Sequence, residues 1–287
     1  MKIKKQIQRL LTFFIGVPGF AALILFLPQY NHLALNIAAI LFSSFGAIEL
    51  ALMLKSKGFH IYVLEAAILG SLAPLSATFI VSFGANNQVL QSLFVLGASW
   101  VLVSEIFFNG IKTGFSRVLG RLAAAFSIMI YPGIFLSWII TMAANEHSSI
   151  IIVTFLVSVM ANDGLAWFTG KLFGRNNSGI FAASPNKSIA GYLGGMGASI
   201  GICIAIAHFF PHVFVPYRIA KLPSVIILGF VSGIAVILGD LVESAIKRSC
   251  GFEDSGNIIP GRGGALDSID SIAFAAPFFY MLYRFFF

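Results

Sequence analysis

The sequence predicts an all-α polytopic membrane protein with about nine transmembrane helices and a cytoplasmic N-terminus. Of its 287 residues, 58% are hydrophobic and only 10% are charged, and the mean hydropathy is +0.93. Soluble domains carry about 25% charged residues. A chain that is this apolar over this length is typical of proteins that cross the bilayer many times.

Each predicted helix rests on an apolar segment long enough to span the membrane. A spanning helix needs about 20 mostly apolar residues, and about nine segments of the chain satisfy this. The basic start of the chain is not followed by a small-residue cleavage site, so the first segment is expected to be retained as a helix rather than removed as a signal peptide. The segments are, in order, 10–28, 32–54, 61–83, 88–108, 118–143, 149–170, 190–210, 222–243 and 265–287.

The spacing of the segments predicts one integral membrane domain over residues 1–287, because no aqueous domain fits between them. Residues 1–148 supply helices one to five, and residues 149–287 supply the remaining helices and most of the polar motifs. The connections are short except at 171–189 and 244–264. Since loops that stand out by length usually carry function, these two loops are where a site is expected.

Lysine and arginine mark the cytoplasmic side of a membrane protein. With the N-terminus inside, only Arg218, Lys221 and Arg284 of the 18 basic residues fall outside. Both long loops then face the cytoplasm, which predicts a multi-pass protein of the cell (inner) membrane with its site on the cytoplasmic side. The basic residues on that side are Lys2, Lys4, Lys5, Arg9, Lys55, Lys57, Lys112, Arg117, Arg121, Lys171, Arg175, Lys187, Lys247, Arg248 and Arg262.

The net charge of +7 does not indicate nucleic-acid binding, because the basic residues are scattered between apolar segments. Cys203 and Cys250 have no metal-ligand spacing around them and are expected to be reduced thiols. Glycines recur at the four-residue spacing of closely packed transmembrane helices. We expect packing within one subunit, and a homodimer stays open; the pairs are Gly191 with Gly195, Gly197 with Gly201, and Gly229 with Gly233.

The densest group of ionisable residues lies between 244 and 270, beside predicted spans. Charged side chains are costly there and are functional by default. The end of the preceding helix adds residues at spacings of three, four and seven, which place them on one helical face. These residues are Asp240, Glu243, Ser244 and Lys247.

The last predicted helix opens with Asp267 and Asp270, which are three residues apart and share a face. The turn before it, 260–264, contains three glycines and lets the backbone approach a ligand closely. If the two helical faces meet, Asp240 also lies near these carboxylates. The alternative is a purely structural role, in which Asp267 and Asp270 only cap their helix while Lys247 and Arg248 only mark the cytoplasmic side of the membrane.

Several carboxylates close together repel one another unless a cation lies between them. Their hard oxygen ligands favour magnesium, which leaves coordination positions for phosphate oxygens. The nearby cations Lys247, Arg248 and Arg262 complement phosphate charge. This combination indicates phosphoryl or nucleotidyl transfer, in which catalysis is mainly positioning and charge neutralisation.

A second polar element consists of one helix and the loop that follows it. Asp163 lies within a predicted span and therefore needs a partner, a polar cavity or an ion. Ser184 and Lys187 lie on the following loop, where they could bind phosphate, although a solvated lysine is the simpler interpretation of Lys187 alone.

Three glutamates interrupt apolar segments of the N-terminal half: Glu49, Glu65 and Glu105. They indicate either hydrogen-bonding partners between helices or an ion path, and the structural role is favoured. An ion-coupled transporter would keep such residues as well, but transporters often show repeated halves with broken helices. This chain instead concentrates its charge at one edge of its C-terminal half, so a transporter is the distant alternative.

Taken together, the motifs of residues 160–275 resemble those of the phosphatidate cytidylyltransferases, or CDP-diacylglycerol synthases. The family's G-D-x-x-E-S element resembles residues 239–244, and its long C-terminal signature resembles residues 244–270. Its elements D-x-x-A-Y-x-x-G-x-x-F-G and S-P-K-K-T-x-E-G resemble residues 163–174 and 184–191. The N-terminal half adds only the number of spans to this resemblance.

The resemblance implies that CTP and phosphatidic acid give CDP-diacylglycerol and pyrophosphate, for phospholipid biosynthesis, with Mg²⁺ and a second cation left open. It implies Asp240 and Asp267 as metal ligands in the catalytic half, residues 149–287. The implied catalytic residues are Asp240, Asp267, Asp270, Lys247 and Asp163. The implied substrate-binding residues are Ser184, Lys187, Ser244, Arg248, Asp254, Arg262, Gly263 and Gly264. The implied partners are CTP, phosphatidic acid and membrane lipids.

The chain departs from the family pattern at four positions. Arg262 stands in place of a histidine, Ser268 in place of an arginine and Glu253 in place of a lysine, while Ala190 replaces an acid. We expect Arg262 to replace the lost phosphate contact across the turn. The departures bear on substrate affinity more than on the metal pair.

Two other enzyme classes compete with this interpretation. A CTP-dependent polyprenol-type lipid kinase shares some of the architecture and would transfer the γ-phosphoryl group to a lipid alcohol. A CDP-alcohol phosphotransferase fits less well, because Asp163 and Gly164 are not followed by that family's arginine and aspartate spacing. The products distinguish a cytidylyltransferase from a lipid kinase. The cytidylyltransferase gives a CDP-lipid with pyrophosphate, and the kinase gives a phospholipid with CDP.

Overall fold

The all-α prediction is confirmed by the computed structural model, which describes residues 16, 18–104, 106–107, 118–175 and 177–287. Within these ranges there is no β-strand, only isolated bridges in two loops. Residues 18–26 are helical. The helices that follow are α1 (Gln29–Lys55), α2 (Val63–Phe83), α3 (Gln88–Ser104), α4 (Val118–Met142, π-helical over Met129–Phe135), α5 (Ser148–Phe173), α6 (Ile189–Phe209), α7 (Lys221–Cys250) and α8 (Leu266–Phe286).

Within the described ranges, 6 helices are long and apolar enough to cross a membrane, namely α1, α2, α4, α5, α6 and α7. Helix α3 has only 17 residues, and α8 carries Asp267 and Arg284 in its end turns. The exact number of nine and the cytoplasmic N-terminus therefore remain predictions. Residues 10–15 and 17 of the first predicted span lie outside the described residues, as do Lys2, Lys4, Lys5, Arg9, Glu105, Lys112 and Arg117.

The described residues divide into two compact units. The first contains the residues up to Ala144 together with Ser249–Ile269, and the second contains Asn145–Arg248 and Asp270–Phe287. The single membrane domain and its division at 148 remain predictions. In the first unit α1 packs along α2, and in the second α5 packs along α6.

The first unit shows how a proline is tolerated inside an apolar helix. Pro74 in α2 has no N–H, so the carbonyl of Gly70 one turn earlier loses its helical donor. The Ser43 hydroxyl of α1 lies 2.7 Å from that carbonyl oxygen and 2.7 Å from the carbonyl oxygen of Pro132 in α4. A hydroxyl from a neighbouring helix thus supplies hydrogen bonding where water is absent. The helices approach closely here, since a Cβ on Gly70 would overlap Ala47.

The second unit confirms that two of the predicted glycine pairs serve packing within the subunit. Gly195 of α6 lies against Asn162 of α5, and Gly229 of α7 lies against Ile200 of α6. Asn162 is buried, and its amide donates to the Ser199 hydroxyl at 2.9 Å and to the Gly233 carbonyl at 3.3 Å. Gly197 and Gly201 meet no atom within 4 Å, and the homodimer remains a prediction.

We expect Gly195→Ala to destabilise the protein by about 1–3 kcal/mol, the usual cost of overpacking a tight core. An added Cβ would lie 2.6 Å from Asn162 Oδ1 and 2.9 Å from the Asn162 carbonyl oxygen, and a backbone atom cannot move aside cheaply. Gly197→Ala on the same helix is the matched control, because its Cβ would enter open space. Thermal unfolding in detergent should show a lower Tm for the first variant only; equal Tm values would contradict the packing account.

Candidate active site

The predicted polar face of the helix before the long loop is confirmed as helical. Helix α7 continues to Cys250, seven residues beyond the predicted end of the span at 243, so its polar residues remain in helical register. Lys247 Nζ lies 2.6 Å from Glu243 Oε2, and the Glu243 side chain is only 1% exposed. Ser244 Oγ lies 3.5 Å from Asp240 Oδ1, and Arg248 is exposed. A buried carboxylate and two further polar groups therefore share one face with a lysine.

Lys187 is held in place by the loop between α5 and α6. Its N–H donates to the Ser184 carbonyl at 3.2 Å, and its carbonyl accepts from the Gly179 N–H at 3.1 Å. The next residue, Ser188, begins α6 and caps it by accepting from the Gly191 N–H at 3.1 Å. This N-cap fixes the helix start, so the backbone on both sides of Lys187 is constrained.

The side chain of Lys187 lies among carboxylates of the second unit. Its ammonium group pairs with Asp240, and it also interacts electrostatically with Asp163, Asp270 and Glu243. Burial lowers the pKa of Lys187, while the Asp163 and Asp270 carboxylates act in the opposite direction. The simple interpretation of Lys187 as a solvated lysine is therefore wrong, because carboxylates from three helices lie around its ammonium group.

Asp267 is positioned by the long loop of the first unit. Its Oδ2 accepts from the Ser255 N–H at 2.9 Å and from the Gly264 N–H at 2.6 Å. Gly263 has φ of +108°, which favours glycine, and a Cβ there would overlap the Asp267 carboxylate. Two backbone donors on one oxygen hold the carboxylate in a defined orientation at the start of α8.

The other predicted residues of this loop differ in their surroundings. Asp254 is partly buried, whereas Arg262 is exposed and makes no ion pair with any described residue. Ser268, which replaces an arginine of the family pattern, donates from its hydroxyl to the Gly264 carbonyl at 3.2 Å. The predicted phosphate contact of Arg262 remains a prediction, and its exposure leaves the side chain accessible to a ligand.

Glu49 of α1 is the residue that sequence reasoning placed among structural glutamates without identifying its partners. It is 3% exposed, and its carboxylate accepts from Ser255 Oγ at 2.9 Å, from the Ala265 N–H at 2.9 Å and from the Leu266 N–H at 2.8 Å. The last two are unpaired donors of the α8 N-terminus, which favours a negative charge. A Cβ on Gly264 would overlap the carboxylate, so the glycine-rich turn closes tightly around Glu49.

Ser255 connects Glu49 to Asp267. Its hydroxyl donates to Glu49 and accepts from the Asp267 N–H at 3.2 Å, and its own N–H donates to the Asp267 carboxylate. The hydrogen bonds therefore run from a helix of the N-terminal half to a predicted metal ligand. In the sequence, the only indication of this connection is a glutamate within an apolar segment.

The donor set fits a hard divalent cation, because oxygens dominate it and the Asp240 carboxylate already binds a cationic group, the Lys187 ammonium. Within the described ranges no three His, Cys, Asp or Glu side chains lie close enough to hold a metal ion by themselves. Asp240 and Asp267 belong to different units. The metal pair remains a prediction.

Glu65 confirms the structural role expected for the glutamates of the N-terminal half. It forms an ion pair with Arg121 of α4 at 2.7 Å, linking two helices of the first unit. Arg121, which the sequence indicated only as a topology marker, is buried. Asp163, in contrast, is exposed, although it lies near Lys187.

Comparison with known proteins identifies the family of this chain. Residues 7–286 match the Cytidylyltransferase family. A phosphatidate cytidylyltransferase of Haemophilus influenzae is 30% identical over 97% of this chain and 98% of its own length. Phosphatidate cytidylyltransferases of Thermotoga maritima and Staphylococcus saprophyticus are 32% and 34% identical, over 70% and 67% of this chain and 71% and 68% of their own lengths. Because the match covers nearly the whole chain, this protein belongs to the cytidylyltransferase family.

Proposed function

We propose that the protein is a phosphatidate cytidylyltransferase, which converts CTP and phosphatidate to CDP-diacylglycerol and pyrophosphate for phospholipid synthesis. The relatives that carry this name support the reaction. The structural observation that carries the proposal is the Lys187 ammonium group bound by Asp240, with Asp163, Asp270 and Glu243 nearby. Carboxylates that hold a cation beside further basic residues suit a metal-assisted transfer between phosphates.

In the proposed reaction an oxygen of the phosphatidate phosphate attacks the α-phosphorus of CTP. A new phosphorus–oxygen bond forms there, and the bond from the α-phosphorus to the oxygen that bridges to the β-phosphate breaks. Pyrophosphate leaves with the bonding electrons. The attacking phosphate is already ionised near neutral pH, so the proposed reaction needs no histidine as a general base.

The proposed roles follow from charge and position. Asp240 and Asp267 would hold Mg²⁺, which when bound polarises the phosphate oxygens and neutralises charge that develops on them. Asp163 and Asp270 support the charge balance around Lys187. Lys187 and the cations near it would bind the phosphates, and the polar and glycine residues of the two loops would contact the nucleotide. Lys247 is a proposed catalytic residue. The proposed substrate-binding residues are Ser184, Lys187, Ser244, Arg248, Asp254, Arg262, Gly263 and Gly264.

The proposed setting is a cell (inner) membrane with the site facing the cytoplasm, where CTP is available. The helices long and apolar enough to cross a membrane make the protein an integral membrane protein, which suits a lipid substrate. Membrane lipids are its surroundings, nucleic acid is not a proposed partner, and the homodimer is a proposal that rests on glycine spacing alone.

Purified protein in detergent, given phosphatidate, Mg²⁺ and CTP labelled at the α-phosphorus, is expected to move label into a lipid-extractable product. CTP labelled at the γ-phosphorus should release its label as pyrophosphate and leave the lipid unlabelled. Transfer of γ-label to a polyprenol or another lipid alcohol would contradict the proposal and identify a CTP-dependent lipid kinase. Absence of transfer in both assays would also overturn it.

A further inference from the structure

The first unit contains a cavity that the proposed reaction does not use. Its volume is about 530 Å³, which falls within the usual range of ligand pockets, about 300–1,000 Å³. It lies where α2, α3 and α4 approach one another. We call it the Glu65 cavity and define it by Tyr62, Leu64, Glu65, Ile68, Trp100 and Arg121.

One end of the Glu65 cavity carries a charge of each sign. The side chains of Arg121 and Glu65 are only 8% and 10% exposed, and they lie 2.7 Å apart. The indole N–H of Trp100 donates to Glu65 Oε1 at 3.2 Å, and the Arg121 guanidinium lies 5.8 Å from the centre of the Tyr62 ring. Removing both charges from water is costly, so a ligand with polar groups that hydrogen-bond this pair would suit this end of the cavity.

The polar end lies at the ends of the helices that form the cavity. Glu65 is in the first turn of α2, Arg121 is the fourth residue of α4, and Trp100 is in the last turns of α3. Helix ends of this kind lie at the level of lipid headgroups, where tryptophan and tyrosine are enriched. The charge pair is therefore at headgroup depth.

The remaining wall of the cavity is apolar and open to the outside of the protein. Leu64 is 73% exposed and Ile68 is 51% exposed, and both lie on α2, one of the apolar helices long enough to cross a membrane. Ile68 lies almost one turn further along α2 than Glu65, so its exposed side chain is placed toward the hydrocarbon, whereas Leu64 lies at the level of the charge pair. The cavity thus opens sideways into the bilayer, and its occupant is expected to come from there.

We propose that the Glu65 cavity binds one phospholipid with a zwitterionic headgroup, such as phosphoethanolamine. The headgroup ammonium donates to Glu65, the phosphate accepts from Arg121, and an acyl chain covers Leu64 and Ile68. An anionic headgroup that lacks an ammonium would add a negative charge beside the Glu65–Arg121 ion pair with no cation of its own to balance it, which disfavours it in a medium of low dielectric. Phosphatidate lacks this ammonium, so the bound lipid differs from the proposed substrate.

The test uses the whole protein, stripped of lipid in a neutral detergent. Phosphatidylethanolamine, phosphatidylglycerol and phosphatidate with the same acyl chains are titrated separately, and binding is followed by native mass spectrometry and by the rise in Tm that a bound ligand produces. We expect one phosphatidylethanolamine per chain, bound about tenfold more tightly than either anionic lipid, as loss of one charge-assisted hydrogen bond implies.

Two variants separate the polar and apolar parts of the Glu65 cavity. Glu65→Gln combined with Arg121→Gln removes both charges and should abolish the preference for phosphatidylethanolamine. Ile68→Trp adds bulk to the wall and should weaken binding of that lipid about tenfold. Ile37→Trp is the matched control, because Ile37 is 48% exposed on α1 and does not line the cavity.

Three results would overturn the proposal. The first is equal binding of the three lipids by the unchanged protein. The second is tighter binding of phosphatidate, which would make the Glu65 cavity a site for anionic lipid. The third is an equal effect of Ile68→Trp and Ile37→Trp on phosphatidylethanolamine binding, which would mean that the lipid binds elsewhere on the surface.

Discussion

Asp240→Asn is expected to lower the rate of cytidylyl transfer by about 10²–10³-fold, the usual cost of removing one group that stabilises charge in a transition state. The asparagine keeps the size of the side chain but cannot neutralise a cation, whether the Lys187 ammonium or a proposed Mg²⁺. The Lys187 and Asp240 side chains are 34% and 26% exposed, and Asp163, Asp270 and Glu243 still lie near the ammonium group in this variant. The loss of one partner should therefore cost about 1 kcal/mol of stability. Activity should therefore fall while Tm changes little.

Glu146→Gln is the matched control for Asp240→Asn, since Glu146 is an exposed carboxylate in the loop between α4 and α5. It should leave both activity and Tm unchanged. The measurement is the rate with α-labelled CTP at saturating Mg²⁺, with CTP binding followed separately by equilibrium dialysis. If Asp240→Asn retained transfer within tenfold of the unchanged protein, Asp240 would not be a metal ligand.

Features that depend on local spacing could be predicted from the sequence. The pairing of Glu243 with Lys247 follows from their i,i+4 spacing on one helix. The close approach of α5 and α6 follows from the spacing of Gly191 and Gly195. Both depend on residues within one or two turns of a helix, where periodicity fixes the relative positions of side chains.

Contacts between segments that are far apart in the chain could not be predicted from the sequence. Glu49 and Ser255 are 206 residues apart, and no periodicity relates a helix to a loop at that separation. Taken alone, Lys187 is predicted to be solvated. The prediction fails because the carboxylates around this loop residue come from three different helices. A single glutamate in an apolar segment indicates only that a partner exists, and the fold alone identifies that partner.

Glu49→Gln should reduce transfer by about 10²-fold, because a catalytic group displaced by about 1 Å can lose that much activity. Its carboxylate accepts three hydrogen bonds on two oxygens, whereas glutamine offers one acceptor and would direct an NH₂ group at a backbone N–H. An unsatisfied buried donor costs about 1–3 kcal/mol, so Tm should fall as well. The turn that presents Asp267 would then shift.

A loss of stability alone would not separate a positioning role from a purely structural one. The deciding measurement is the Mg²⁺ concentration for half-maximal activity, determined well below the Tm of each variant. It should rise for Glu49→Gln and also for Ser255→Ala, because Ser255 hydrogen-bonds both Glu49 and Asp267.

Ser76→Ala is the control for these variants, because the Ser76 hydroxyl is buried but donates only to the Leu72 carbonyl of its own helix. It should leave the Mg²⁺ dependence unchanged. If Glu49→Gln lowered Tm but kept the Mg²⁺ dependence and maximal rate of the unchanged protein, Glu49 would serve only the fold. The proposed reaction would still stand in that case, because it is tested by the unchanged protein. If the Mg²⁺ concentration for half-maximal activity rises in Glu49→Gln and Ser255→Ala, the N-terminal half controls the proposed metal site through one hydrogen-bonded carboxylate.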